Sequence, residues 1–327
     1  MSTPAASVLP TRRLAGRPGY VDRLARSALF HLLGEITEGS LEICDAEGVH
    51  SFGQAGCDTD IAATLWVHDP SAFSSIVFGG SVGAGRSYME GAWSTDDLMA
   101  AIRVLVRNRS VLSRWRRGFG RWADMLGRVR ALTRRNTLQG SRRNISEHYD
   151  LSNDFFSLFL DQRMMYSCAY FEHAGMSLDQ ASVAKLDRIC RKLRLNPEDH
   201  LLEIGSGWGG LAIHAAKEFG CRVTTTTISE AQYEYASEAV RSAGLEDRIT
   251  VLKKDYRDLE GQYDKLVSVE MIEAVGPQYL DTFFAQCARL LRNDGVMLLQ
   301  AITIDDREYD RASRSVDFIK HFIFPGS

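Results

Sequence analysis

Five short β-rich segments in the second half of the chain alternate with stretches that have helical periodicity. The segments are HLLEIG (200–205), CRVTTTTI (221–228), ITVLKKD (249–255), KLVSVE (265–270) and GVMLLQAITI (295–304). Strands that alternate with helices at this spacing form βαβ units, in which the strands are parallel and helices cover both faces of the sheet. The pattern therefore predicts an α/β fold with a parallel sheet for this half of the chain.

The first of these strands ends in a glycine-rich turn, LLEIGSGWGG (201–210), before a helical pattern. Gly205, Gly207 and Gly209 can adopt positive φ and let a ligand approach the backbone, as ligands do at the strand ends of open α/β sheets. The glycines also match a dinucleotide fingerprint, and a purely structural turn is a further alternative. Two features favour S-adenosylmethionine. Glu203 can direct a carboxylate to a cationic amino-acid moiety, and the second strand lacks the terminal carboxylate that holds an NAD ribose.

A strongly basic segment lies in the middle of the chain. It contains thirteen arginines and one acid between Arg103 and Arg143, a local charge of +12 in a chain of net charge −3. Its apolar residues form one helical stripe: Leu112, Trp115, Phe119, Trp122, Leu126 and Val129. Tryptophans beside many arginines are typical of a helix on an anionic membrane surface. An interdomain helix packed on protein is the alternative, and a nucleic-acid partner is not expected.

Changes in sequence texture predict four parts. They are a flexible leader (1–20), a lipid-associated α+β domain (21–108), an Arg-rich amphipathic helical linker (109–143) and a cofactor-binding domain (144–327). In the α+β domain, LEICDAEGVHSFG (41–53) predicts a hairpin, and the segment 64–80 predicts a strand followed by a helix that ends at Gly79-Gly80.

Composition excludes several classes of protein. The chain is 45% hydrophobic and 25% charged, which is typical of globular proteins rather than disordered ones. No apolar run reaches the roughly 18 residues of a membrane-spanning helix. The six cysteines show no metal-ligand spacing, so no metal site is expected. Reduced thiols in a cytoplasmic protein are the simple interpretation.

Seven ordered motifs resemble the cyclopropane-fatty-acid synthase family of S-adenosylmethionine-dependent methyltransferases, which includes the mycolic-acid cyclopropane synthases. They are GRSYMEGAW (85–93), EHYDLSNDFFSLFLD (147–161), MMYSCAYF (164–171), LLEIGSGWGG (201–210), TISEAQ (227–232), SVEMIEAVGPQYLDTFF (268–284) and DFIKHFIFPG (317–326). The resemblance covers about residues 60–327. It implies a Rossmann-like class I methyltransferase sheet with a smaller N-terminal α+β domain.

The resemblance also implies which residues hold the cofactor. Tyr166 and Ser167 are expected to contact it from the segment before the sheet, and the 205–209 loop is expected to hold its methionine part. Thr227 and Gln232 are expected beside the ribose and adenine, with Tyr256 flanking the adenine. Glu273, the Cys168 backbone and the segment from Gln300 to Ile302 are expected to surround a bound bicarbonate ion.

The implied reaction transfers a methylene group to the cis double bond of an unsaturated phospholipid acyl chain. The alkene is a weak nucleophile, so the protein must align it with the electrophilic methyl group. One proton must leave the new methyl group as the ring closes, and bicarbonate is expected to accept it. Tyr170, Phe171 and Tyr279 are candidates to stabilise the cation through their ring faces.

Structural roles are the alternatives for several of these residues. Glu270 or Glu273 could cap the helix that follows the fourth strand. Cys168 could be a small buried residue, and no thiolate nucleophile is expected. His148 and His321 are interpreted as structural, although His148 could line the approach to the cofactor.

The chain departs from the family pattern in two places. Gln300 stands where many members have a histidine, and an amide can donate a hydrogen bond but cannot titrate. The sequence ends at Ser327, and the resemblance implies that relatives continue beyond this point with two more strands. With five strands instead of seven, the last one is expected to be an exposed apolar edge.

Three functions follow as hypotheses. The first is cyclopropane synthesis, or the sibling methyl-branching chemistry, at the inner face of the membrane. The second is a methyltransferase for an amine or another small molecule on the same scaffold. The third is a truncated, non-catalytic homologue that binds lipid or pairs with a full-length copy; related proteins often dimerise, so a homodimer is a further expectation.

Overall fold

The computed structural model describes residues 19–53, 61–112 and 153–323, which form two compact units. The first contains the described residues up to Leu112 together with Asp310–His321, and the second contains the remainder from Asn153 onward. The predicted domain 144–327 had included Asp310–His321. This segment belongs to the first unit because the Phe318 ring occupies the space where Gly85 lacks a Cβ atom. The predicted leader and most of the Arg-rich linker lie outside the described residues.

The first unit packs helices against a four-stranded sheet of order β2-β1-β3-β4. Its elements are helix α1 (Tyr20–Leu33), strands β1 (Ser40–Asp45), β2 (Gly48–Gly53) and β3 (Ala62–Val67), helix α2 (Ser71–Met89), strand β4 (Trp93–Thr95) and helix α3 (Leu98–Arg107). Leu29 of α1, Ile43 of β1, Phe73 of α2 and Val104 of α3 share one buried cluster. The predicted α+β character of this unit is confirmed.

Two local predictions for this unit have different outcomes. The hairpin is confirmed, since β1 and β2 pair antiparallel with Asp45 opposite Gly48. The helix predicted to end at Gly79-Gly80 instead continues to Met89. Gly80 does interrupt it, with φ 53° and ψ −137°. Beyond this interruption Gly83 packs against the Ser75 backbone, where a Cβ atom would lie 1.8 Å from the carbonyl oxygen.

The second unit contains a five-stranded parallel sheet of order β7-β6-β5-β8-β9, as predicted. The strands are β5 (His200–Ile204), β6 (Arg222–Thr227), β7 (Ile249–Lys253), β8 (Tyr263–Val269) and β9 (Leu291–Gln300). The α-helices of this unit are, in chain order, α4 (Asn153–Ser157), α5 (Leu178–Leu193), α6 (Gly210–Phe219), α7 (Glu230–Ser242) and α8 (Leu280–Leu290). A last helix, α9 (Asp306–Arg314), begins in the second unit and ends in the first. The strand order reverses at β5, and ligands bind at the carboxyl ends of strands beside such a switch point.

Neighbouring residues of β5 point to opposite faces of the sheet and enter different cores. Leu201 packs with residues of α5, α6 and α7 on one face. Leu202 packs with Phe283 and Cys287 of α8 on the other. Because both faces are covered, a polar residue in this strand, such as Glu203, requires a specific partner.

Strand β9 lies at the edge of the sheet, where Val296 is exposed as expected. It ends at Gln300, so the last four residues of the predicted segment 295–304 lie beyond it. The ladder stops there because the Gln300 carbonyl accepts the amide of Glu270, 2.8 Å away, and Glu270 has a φ of 49° that is incompatible with a strand. None of the described helices is long and apolar enough to cross a bilayer.

Candidate cofactor and reaction site

The glycine-rich turn joins β5 to α6 and borders open space. Gly205, Gly207 and Gly209 have φ values of 99°, 50° and 90°, which glycine adopts without strain. The amides of Gly205 and Ser206 both donate to the Thr226 carbonyl, which fixes the turn against β6. A Cβ atom on Gly207 would meet no heavy atom within 4 Å. The turn is therefore held rigidly and leaves room for a ligand at Gly207.

A buried carboxylate lies directly before this turn. Glu203 is 3% exposed, and the Thr225 hydroxyl donates a hydrogen bond of 2.6 Å to its Oε2. Burial raises the pKa of Glu203 to about 8, against the opposing effects of the Thr225 hydrogen bond and the Lys185 charge. A carboxyl group in this state gains more from a bound cation than an exposed one does, because the cation replaces the lost hydration.

The residues expected near ribose and adenine form two groups at neighbouring strand ends. Thr227 donates a hydrogen bond of 2.8 Å to Gln232, and both side chains are buried. Ser229 caps α7 by accepting the Gln232 amide. Tyr256 packs its ring edge-to-face on buried Phe283, with centroids 5.3 Å apart. The structure thus places all three expected residues at the carboxyl edge of the sheet, while their contact with a cofactor stays a prediction.

Lys185 is a central residue that the sequence reasoning missed. Its ammonium group donates to Ser167 Oγ at 2.6 Å and to the Ser167 carbonyl at 3.2 Å, and the residue is 4% exposed. Burial lowers its pKa, while the charges of Glu270, Cys168, Asp161 and Glu203 act in the opposite direction. The available signal was a lysine on the apolar stripe of α5, in register with Ala181 and Ile189.

Trp208 is a second residue that was not predicted. Its indole Nε1 donates to Asn153 at 2.8 Å, and its ring lies 4.9 Å from that of Phe156. Phe156 in turn contacts the Tyr166 ring, with centroids 5.5 Å apart. This aromatic chain connects the glycine turn to the segment that carries Tyr166 and Ser167.

Glu270 and Glu273 follow β8, and neither carboxylate caps a helix. Glu270 Oε1 accepts the Cys168 amide at 3.1 Å and the Gln300 side-chain amide at 2.7 Å. Glu273 Oε1 accepts the Ile302 amide at 2.5 Å, while its Oε2 is buried without a hydrogen-bond partner among the described residues. The four residues predicted for catalysis, Glu273, Cys168, Gln300 and Ile302, therefore lie in one cluster that also contains Glu270.

The expected bicarbonate ion does not fit this arrangement. The Cys168 and Gln300 amides, which were expected to hold it, both donate to Glu270, and the Ile302 amide donates to Glu273. A further anion would lose these donors to the two carboxylates and would be repelled by their charge. S-adenosylmethionine does fit the other half of the site, since Glu203 has no cationic hydrogen-bond partner among the residues that the structure describes and Gly207 borders open space.

The remaining candidates have other surroundings. The pKa of the Cys168 thiol is raised by burial and by Glu270, which agrees with the expectation that it is no thiolate nucleophile. The Arg188 guanidinium lies over the Tyr170 ring, 4.5 Å from its centroid, so this ring face is not open to a substrate cation. His321 Nε2 lies 3.2 Å from Arg86 in the first unit, a structural contact. His148 lies outside the described residues.

Comparisons with known proteins agree with this geometry. Residues 136–327 match the family described as mycolic acid cyclopropane synthetase. Tuberculostearic acid methyltransferase UfaA1 of Mycobacterium tuberculosis is 35% identical over 341 residues, covering 99% of this chain and 74% of that protein. Cyclopropane-fatty-acyl-phospholipid synthase of Escherichia coli is 38% identical over 288 residues, covering 87% and 70%.

Solved structures support the same conclusion. Mycolic acid cyclopropane synthase CmaA1, complexed with SAH and CTAB, superposes with a TM-score of 0.54 at 36% identity, covering 57% of this chain and 68% of that one. The expected Rossmann-like methyltransferase fold is thereby confirmed. Taken with the sheet, the glycine turn and the carboxylate before it, these similarities show that the chain belongs to the mycolic acid cyclopropane synthetase family of S-adenosylmethionine-dependent methyltransferases.

Proposed function

We propose that this chain transfers a methylene group from S-adenosylmethionine to the cis double bond of an unsaturated phospholipid acyl chain, forming a cyclopropane ring. The observation that carries the proposal is the juxtaposition of two sites at one edge of the sheet. Lys185 contacts Ser167 and acts electrostatically on both Glu203 and Glu270, so the cofactor end and the carboxylate cluster share one charge network.

The cofactor half of the site uses residues of the second unit. Glu203 would pair with the ammonium of the methionine moiety, Gly205–Gly209 would enclose it, and Thr227, Gln232 and Tyr256 would border the ribose and adenine. Tyr166 and Ser167 would contact it from the opposite side. When bound, S-adenosylmethionine supplies a methyl group made electrophilic by its sulfonium charge. The chain's own task is to orient the alkene and to remove one proton.

Exposed apolar side chains beside this half support a lipid substrate. Leu158 is 81% exposed and Phe159 50% exposed in the segment after α4, while their neighbour Phe156 is buried against Trp208. Large apolar side chains on a surface are typical of contact with lipid or protein. Phe171 is also half exposed, and its ring face remains a candidate for stabilising the substrate cation.

The Arg-rich segment extends the proposal to the membrane. Its charge of +12 would attract an anionic leaflet at the cytoplasmic face, with its tryptophans at the interface. Salt-sensitive sedimentation with anionic vesicles, and no sedimentation with neutral ones, is the expected result. Binding to neither kind of vesicle would contradict the membrane part alone. A homodimer remains a further proposal for analytical ultracentrifugation.

A methyl-branched product is the second candidate. It is favoured by the relative that matches 99% of this chain, a tuberculostearic acid methyltransferase. The two chemistries share the cofactor and the alkene and diverge only in the fate of the substrate cation. Ring closure with loss of a proton gives cyclopropane, whereas a hydride shift followed by loss of a proton gives a methylene branch, which a separate hydride donor would have to reduce to a methyl branch.

The direct experiment is product analysis. The purified protein is incubated with S-adenosylmethionine and vesicles of cis-unsaturated phospholipid, and the fatty acids are analysed by mass spectrometry and proton NMR. A gain of one CH₂ with cyclopropyl proton signals is expected. A branched product supports the second candidate. No change in mass with phospholipid would contradict the proposal, and methylation of a soluble amine would then support a small-molecule methyltransferase.

A further inference from the structure

Glu270 adopts a backbone conformation that residues other than glycine rarely adopt. Its φ of 49° lies in the left-handed region, directly after strand β8. Residues held in that region cluster at functional sites, where surrounding contacts maintain the strain. Here the contact is a backbone hydrogen bond of 2.8 Å from the Glu270 amide to the Gln300 carbonyl at the end of β9. The side chain is therefore held in place by the pairing of two strands.

This backbone turn directs the carboxylate onto two amide donors. Glu270 Oε1 accepts the Cys168 backbone amide at 3.1 Å and the Gln300 side-chain amide at 2.7 Å. These are groups to which the family resemblance assigns a bicarbonate ion. The position that an external anion would take is already filled by an anion of the chain itself.

The surrounding charges also favour one anion at this position. Lys185 is a buried cation that hydrogen-bonds Ser167, and Glu270 raises its pKa electrostatically. Glu273 adds a second carboxylate, held at the Ile302 amide. A bicarbonate ion would add a further anion beside these two carboxyl groups, which electrostatic repulsion opposes.

We propose that Glu270 is the resident anion of this site: its carboxylate replaces bicarbonate and accepts the proton that is released when the ring closes. The inference rests on the proposed function. In the step, one C–H bond of the transferred carbon breaks, and its electron pair forms the second new C–C bond of the ring. The proton passes to the Glu270 carboxylate and then to solvent, so no oxidant or reductant is needed.

Gln300 is consistent with this role. A residue that contacts a built-in carboxylate needs to donate a hydrogen bond and does not need to carry a proton away. The Gln300 amide does this, and its backbone carbonyl holds the Glu270 amide at the same time. The glutamine in place of the histidine of many relatives is thereby explained through its contacts with Glu270.

The test compares Glu270→Gly with Glu270→Gln. Glycine relieves the strain at a φ of 49° and vacates the anion position, so this variant is expected to fold. Glutamine keeps the shape and an acceptor oxygen but cannot take up a proton. Glu246→Gln, on an exposed loop, is the matched control.

Binding of ¹³C-labelled bicarbonate is followed by NMR line broadening, without lipid or cofactor. We expect no broadening with the wild-type protein or Glu270→Gln, and clear broadening with Glu270→Gly. Product formation is then measured in buffer purged of carbon dioxide. Wild type and Glu246→Gln are expected to be unaffected, both Glu270 variants to lose at least tenfold, and bicarbonate to restore Glu270→Gly only.

Three results would overturn the inference. They are bicarbonate binding by the wild-type protein at the level of Glu270→Gly, absence of binding by Glu270→Gly, and wild-type activity of either Glu270 variant in purged buffer. A wild-type protein that forms no lipid product under any condition would contradict the proposed function instead. In that case the bicarbonate-binding measurement by NMR still decides whether Glu270 fills the anion position.

Discussion

Glu203 is expected to release a proton when the cofactor binds. Its pKa of about 8 in the ligand-free protein means that about nine-tenths of the molecules carry the proton at pH 7. A bound ammonium group favours the carboxylate and lowers this pKa. Binding of S-adenosylhomocysteine at pH 7 should then release about 0.9 protons, and at pH 9 about 0.1.

Calorimetry in buffers of different ionisation enthalpy measures this number directly. Glu203→Gln provides the control, because it preserves the shape and an acceptor for Thr225 but has no proton to release. We expect it to bind with an affinity at least tenfold lower and without the pH-dependent release. Equal proton release by wild type and variant at pH 7 would refute the reasoning, since the proton would then come from another group.

The same pKa predicts how the stability of the ligand-free protein depends on pH. A folded-state pKa of about 8, raised from 4.5, means that the native state retains a proton that the unfolded chain has lost. The contribution of this group to the free energy of unfolding is fully present below pH 4.5 and is lost as the pH rises through 8. The total loss is up to about 5 kcal/mol. Urea unfolding from pH 5 to 9 should show this loss in the wild-type protein and not in Glu203→Gln.

Three further predictions concern other residues. Lys185→Met removes a cation that lowers the Glu203 pKa, so proton release on binding of S-adenosylhomocysteine, measured by calorimetry, should persist to higher pH than in wild type. The same pH dependence of proton release in both proteins would contradict this. Gly207→Asp places its Cβ in open space but strains the backbone at a φ of 50°; it should lose ligand binding at least tenfold, unlike Gly175→Ala, with circular dichroism as the check that both variants fold. Asn108→Ala should lower the free energy of unfolding by about 2 kcal/mol, because the Glu38 and Val104 carbonyls lose a buried hydrogen-bond donor. Urea titration measures this, and a loss below about 0.5 kcal/mol would contradict it.

Local patterns were sufficient for much of the candidate cofactor site. The strand, the glycines and Glu203 lie within ten residues, and short-range periodicity and backbone freedom determine how such a segment folds. The helix predicted to end at Gly79-Gly80 shows where such reasoning stops. Gly80 does break the helix, but a second helical segment follows and its Gly83 packs on Ser75, a contact that residue preferences alone do not predict.

The sequence by itself determined the alternation of strands and helices, the glycine turn and the carboxylate that precedes it. Only the tertiary structure decided which groups meet at the reaction site. Cys168 contacts Glu270 from 102 residues away and Gln300 from 132 residues away. These contacts depend on parallel strands β8 and β9 ending at the same edge of the sheet, and on Lys185 projecting from the buried face of α5. The distances between these groups cannot be read from their spacing along the chain, because strand pairing and helix packing together determine them.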